Sequence, residues 1–410
     1  MKKNIENIIM FIVSLILLLC TVNSAVFNTL HYDEAFTYLH YGSKIDGFAY
    51  NSLANNHPLN SLLIYFSTYF FPFSDFMIRL PNIIFLLFYL YYSIKISNKT
   101  KLQLLTFSLL TMYWYLIPDF FSQARGYGIS CSLILIFIYQ LVYKNKSDKN
   151  ILSITTILLL ANYAFIGLVP LIFSLIFIVT TLYYKEALVI IKKYKFLFCF
   201  FTLFFTYILI LLYSVSRDGK PLYGAFDISF FDATIGFYLN SFFYGNFDYG
   251  QSAIMNPELV LNPKFEIFTV LIFLFIAIKI IIYNKKFNLI RIFSITVFTF
   301  FLYYLSSILM TKPFITGRSL LPLYPLFIIS LVEFIDLLIS KIDSLNNNLF
   351  YRRILGFVLF VCFVVNYQNK IKLINYSTLN ENKKMNIEKI VNGKESPQKS
   401  YYIKKSNLLK

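Results

Sequence analysis

The chain has 410 residues, is 58% hydrophobic, and carries a formal net charge of +17 with a mean hydropathy of +0.65. A soluble globular chain does not reach that hydropathy, and apolar runs of membrane-spanning length recur from end to end, so the composition specifies an all-α polytopic membrane protein. The basic excess does not indicate nucleic acid, because the lysines and arginines flank apolar runs and no soluble basic domain is present to grip a duplex.

In chain order, the first apolar run follows Lys2 and Lys3 and extends from Ile8 to about Leu30. That is longer than the roughly 7–15 residues of a signal-peptide core, and Leu17-Leu18-Leu19-Cys20 lacks the small residue of a lipobox, so an uncleaved anchor entering from the cytoplasm is expected. The further spans fall at about 79–96, 102–117, 128–143, 150–164, 167–184, 196–213, 265–283, 290–310, 318–339 and 353–367, about 11 transmembrane helices in all. With these spans the basic clusters around Lys95–Lys101, Lys144–Lys149, Lys185–Lys195, Lys285–Arg291 and Lys341–Arg353 all share the side of Lys2 and Lys3. The positive-inside rule then puts the N-terminus in the cytoplasm. It also requires the apolar stretch 59–73 to lie in the outer interface, since a crossing there would flip every later cluster.

The outward segments are therefore 31–79, 118–127, a turn near 164–167, the long loop 214–264, and 311–318. The lysine-rich tail 368–410, with ten lysines and three glutamates, falls outside by alternation. The four cysteines lie inside apolar runs and read as small core hydrophobes. Glu333 and Asp336 lie towards the inner end of their span and read as packing or interface residues.

The first outer loop, 31–78, holds all three histidines (His31, His40, His57) and the adjacent acids Asp33 and Glu34. Ionisable groups at a membrane are costly and mark a functional site. The acids suit a general base or, with His57, a divalent metal. The alternative for Asp33 is to N-cap the short helix that follows it. Pro58 drives His57 towards an extended conformation and starts a helix, so His57 and His31 are candidate substrate or metal contacts. Arg79, Arg125 and Arg318 break the positive-inside pattern at the outer face. A guanidinium there suits bidentate phosphate binding, with a snorkelling anchor as the alternative for Arg79 and Arg125. Acids, a histidine and arginines on one face suit a transferase whose donor is a lipid phosphate: a carboxylate takes the acceptor's proton, and cations stabilise the departing phosphate.

Asp33-Glu34 after the first span, His57-Pro58, Phe73–Pro81, Ser122–Tyr127 and Gly317–Pro325 occur in an order that resembles a bacterial glycosyltransferase of family 39, with the GT-C membrane fold. That group includes protein O-mannosyltransferases and the aminoarabinose transferase of lipid A. The resemblance covers about 1–330. It implies inverting transfer from a polyprenyl-phosphate sugar to an envelope glycan, lipid or protein at the outer (periplasmic) face of the bacterial cytoplasmic membrane. It implies Asp33 as the base with Glu34 beside it, and Arg125 at the donor phosphate. The chain departs from the pattern in reading His57-Pro58-Leu59 where many members have a second proline, and in lacking an acid after Arg125. The expected organisation is a GT-C-like domain over 1–367 and a tail over 368–410. The alternative functions are a flippase or transporter for lipid-linked saccharides and a glycan polymerase; Arg217 in the long loop would serve the latter.

Overall fold

The structure is a computed structural model, and it describes residues 2–45, 57–71, 73–111, 120–143, 148–217, 224–225, 289–310, 314–315, 317–340, 387, 390–392 and 396–408. The expected spans 265–283 and 353–367 lie outside the described residues, as does most of the loop 214–264.

The described chain is helical apart from one two-residue antiparallel pair. The helices are α1 (Lys2–Phe27), α2 (Tyr32–Thr37, continued by a π-helical turn Tyr38–Gly42), α3 (Pro58–Phe70), α4 (Asp75–Ser97), α5 (Gln103–Thr111), α6 (Gly126–Tyr143), α7 (Asp148–Ala164), α8 (Val169–Lys193), α9 (Lys195–Arg217), α10 (Leu289–Met310), α11 (Tyr324–Ser340) and a C-terminal helix (Pro397–Leu408). Among the described residues four stretches, Ile5–Phe27, Asp75–Ser97, Gly126–Tyr143 and Ser319–Asp336, are long and apolar enough to cross a membrane. Shorter apolar helices run over Asn150–Ala164, Ile166–Phe177, Lys195–Ile210 and Ile292–Ser306. The chain is a helical membrane protein. Its outward surface agrees: α1 exposes Phe11 and Leu19, α4 exposes Leu87 and Phe88, and α9 exposes Phe200 and Leu203. Water would not tolerate so much contiguous apolar surface.

Helix α6 sits at the centre because its first half is made of small residues, Gly126, Gly128, Ser130, Cys131 and Ser132, which let neighbouring backbones approach. Ser132 donates to the Phe85 carbonyl of α4 at 2.8 Å, Ser130 to the Ala161 carbonyl of α7 at 3.0 Å, and Cys131 to the Leu321 carbonyl at 3.0 Å. A side chain at Gly128 would meet the Phe121 ring at 2.9 Å. Tyr89, Phe107, Phe121 and Tyr324 are buried in the core cluster that includes this helix.

Helix α3 covers most of the stretch 59–73. It is 13 residues long, too short to cross, and it is two-sided: Ile64 and Ser67 are buried while Phe66, Tyr69 and Phe70 are exposed. It also repairs its neighbour. Pro81 inside α4 cannot donate to the Met77 carbonyl one turn back, and the Ser67 hydroxyl of α3 donates to that carbonyl instead, at 2.7 Å.

Several of the loop segments contact one another at one end of the bundle. Asp33 pairs with Arg125, His57 lies against Ala164, Tyr303 donates to the Gly167 carbonyl, and Gly224–Ala225 pairs with Phe314–Ile315. At the other end Gln103 donates to Asn7 at 3.3 Å, and Lys101 pairs with Asp336 at 2.9 Å. With Lys101 60% exposed, that pair contributes little to stability.

Candidate functional site

The first loop begins where α1 stops. His31 is the N-cap of α2, so Asp33 and Glu34 fall within its first turn. Asp33 is therefore not the N-cap, and its carboxylate is left for other partners. Glu34 curls back to accept from the His31 N–H at 2.8 Å, the acid half of a capping box.

The two adjacent acids have different fates because a helix turns about 100° per residue. Glu34 points inward and is fully buried. It meets Arg79 of α4 side-on: Nε donates to Oε1 at 2.8 Å and Nη2 to Oε2 at 2.7 Å. The Ala124 N–H adds a further bond to Oε1 at 2.7 Å. Burial alone would push the Glu34 carboxyl up, but the Arg79 charge and hydrogen bonds, with the His31 backbone bond, outweigh it and hold the group below the ordinary carboxylate value.

Arg79 is equally committed. Nη1 donates to the carbonyls of Ala25 and Asn28, both at 2.8 Å, and Nη2 also donates to the Thr29 carbonyl at 2.9 Å. A guanidinium has five donors, and all five are used. Arg79 thus caps the C-terminal carbonyls of α1 while pairing with Glu34. This corrects two expectations: Arg79 has no donor left for a phosphate, and Glu34 has no oxygen edge left for a substrate proton. Both belong to the scaffold that ties α1, α2 and α4 together.

Asp33 lies on the other side of α2, 20% exposed, and pairs with Nη1 of Arg125, itself 2% exposed. Arg125 stands immediately before α6 and lies over the Tyr127 ring, 5.4 Å from its centre. Its Nε and Nη2 are buried and, among the described residues, have no hydrogen-bond partner. This is the same side-on edge that in Arg79 grips a carboxylate. A buried charged donor without an acceptor costs about 1–3 kcal/mol or more, so the edge is suited to an anion brought from outside the protein.

The segment bearing Arg125 is held from below by a relay of amides. Asn82 Nδ2 donates to Asn60 Oδ1, and Asn60 Nδ2 donates to the Ala124 carbonyl, each at 3.0 Å. His57, the N-cap of α3, is also buried. Its ring packs edge-on to Tyr127 at 4.7 Å, and its Nδ1 lies 3.1 Å from the Ala164 carbonyl. Gly126 is required there, because a Cβ would sit 2.3 Å from that carbonyl and 2.7 Å from the His57 Cβ. His57 is thus a wall of the site, packed against Tyr127 and Phe165.

Asp33, Glu34 and His57 do not converge as metal ligands, since the oxygens of Glu34 are held by Arg79, His31 and Ala124. Among the described residues no group of three or more His, Cys, Asp or Glu side chains could hold a metal ion. His31 contributes through its backbone. Arg318 lies in the 3-10 helix Gly317–Leu323 that packs on α6 at this end of the bundle; its side chain lies outside the described residues.

No family model, no curated protein and no solved structure matches this chain.

The residues not foreseen are Asn60, Asn82, Gly126 and Tyr127, all within or beside the motifs, and Asp75 with the C-terminal helix. Asn60 and Asn82 carry a readable signal, since each is an amide two residues or one residue after a proline in an otherwise apolar helix.

Proposed function

We propose that the protein is a membrane glycosyltransferase of the GT-C kind. It would move a sugar from a polyprenyl-phosphate donor to an acceptor hydroxyl of an envelope glycan, lipid or protein at the outer face of the cytoplasmic membrane. The observation that carries this reading is the Asp33–Arg125 pair, in which a partly exposed carboxylate stands beside a buried guanidinium whose Nε/Nη2 edge has no protein partner among the described residues. A phosphate oxygen pair fits that edge as a carboxylate fits Arg79. The amides at the start of α6 add positive potential at the same point.

In the proposed reaction the acceptor oxygen attacks the anomeric carbon. Asp33 takes the hydroxyl proton, the carbon–oxygen bond to phosphate breaks, and the bonding electrons leave with the polyprenyl phosphate. A single displacement inverts the anomeric centre. Arg125 neutralises the charge that grows on the leaving oxygen, where a preorganised cation acts with the least reorganisation.

The test is a transfer assay with purified protein, radiolabelled polyprenyl-phosphate sugars and isolated envelope acceptors, comparing wild type with Asp33→Asn. Transfer by the wild type and none by the folded fraction of Asp33→Asn, with binding of polyprenyl phosphate retained, supports the reading. Full transfer by Asp33→Asn removes Asp33 as the base. Movement of lipid-linked sugar across vesicle bilayers by the protein, with no transfer, favours the flippase reading.

A further inference from the structure

The chain's far end returns to the first loop. In the C-terminal helix Tyr401 and Tyr402 are 1% and 4% exposed, and they share an apolar cluster with Leu30, Ala35, Tyr38, Ile64 and Ile78. Ile387, Ile390 and Val391 pack against the same cluster. The C-terminal helix therefore packs on the first loop.

The polar contacts fall at two points. At the first, Tyr402 Oη accepts from the Leu30 N–H at 3.0 Å, and Gln398 Nε2 donates to the Leu30 carbonyl at 2.7 Å. Leu30 lies in the link between α1 and α2 and is fully buried. Its peptide groups have no helical ladder, and buried backbone groups must be satisfied somewhere. At the second point, Asp75 accepts from Tyr401 Oη at 2.8 Å and from Lys405 Nζ at 2.6 Å. Asp75 is one turn before Arg79 on α4, and Leu30 is three residues before Asp33. One helix from the end of the chain thus holds both arms that aim Asp33 and Glu34.

We propose that the C-terminal helix is a positioning element of the first-loop site. Tyr402 and Gln398 fix the Leu30 peptide, Lys405 and Tyr401 fix the start of α4, and together they set the direction in which Asp33 meets Arg125. The inference rests on the Asp33–Arg125 pair being the transfer site. The contacts differ from ordinary packing in that the tail satisfies the backbone of the link leading into the helix that carries the acid. They differ from an inhibitory cover in that they reach the Leu30 peptide and the Asp75 carboxylate.

The test uses the full-length protein in detergent, with Tyr402→Phe, Lys405→Met and Lys405→Arg. Hydrogen exchange over residues 29–42, affinity for polyprenyl phosphate, and kcat and KM for transfer are read together. In Tyr402→Phe the Leu30 amide exchanges faster and kcat falls about tenfold, the effect of one lost buried hydrogen bond expressed in the transition state. KM for the donor and affinity for polyprenyl phosphate hold, because Arg125 is intact. Lys405→Met behaves likewise, and Lys405→Arg restores the wild-type values. Unchanged exchange over 29–42 overturns the proposal whatever happens to transfer. A rise in kcat also overturns it and makes the tail a cover. A loss of kcat no greater than the loss of folded protein makes the helix mere scaffold. If the wild type transfers no sugar, the transferase reading falls, while exchange over 29–42 still decides whether the tail sets the first loop.

Discussion

Glu34→Gln is expected to unfold the protein more readily rather than to disable a catalytic acid. Glu34 and Arg79 are 0% and 1% exposed, so water does not screen their pairing. The substitution leaves one amide nitrogen pointing at donors from Arg79 and His31, and it strands a guanidinium in the interior. Removing one partner of a buried pair costs about 3–5 kcal/mol. The assay is thermal unfolding in detergent of Glu34→Gln, Arg79→Gln and the double variant. Each single substitution should lower the midpoint by several degrees. The double variant should lose less than the sum, by about 1–3 kcal/mol of coupling, because it strands no charge. The pH dependence has a definite sign. The Glu34 carboxyl is held below its ordinary value of 4.5 in the folded state, so its stabilisation is fully present above that value and is lost as pH falls below it. Wild type should lose stability on acidification there, and Glu34→Gln should lose that part of the dependence. A Glu34→Gln protein that melts like wild type yet transfers no sugar would refute the structural assignment and return Glu34 to the chemistry.

Other outcomes follow from the same geometry. Arg125→Lys keeps a charge but loses the planar fork, so affinity for polyprenyl phosphate, read by titration in detergent, should fall about tenfold or more, equivalent to roughly 1.4 kcal/mol. Gly126→Ala forces a Cβ onto the Ala164 carbonyl and should cost about 1–3 kcal/mol by overpacking, seen as a lower unfolding midpoint. Asn60→Leu removes the donor to the Ala124 carbonyl and strands Asn82, so it should lower stability by about 1–3 kcal/mol and reduce transfer through displacement of Arg125.

Much of the organisation follows from the sequence alone. Helical spans around 79–96, 128–143 and 318–339 are dictated by apolar length, since a bilayer leaves backbone groups no partner but their own helix. The short stretch after Pro58 reads as interfacial because 13–15 residues cannot cross and because basic clusters forbid a flip. That the first loop, Ser122–Arg125 and the Ala164–Gly167 turn share one end also follows from counting crossings. What sequence cannot decide is which of two like residues does what. Asp33 and Glu34 are adjacent and chemically similar, and Arg79 and Arg125 both break the charge pattern. Only the tertiary packing rotates Glu34 inward onto Arg79 and the end of α1, and leaves Asp33 at the edge beside an arginine with donors to spare. The docking of Tyr402 on Leu30 is likewise beyond reach from sequence, because a contact spanning some 370 residues leaves no local period or motif to read.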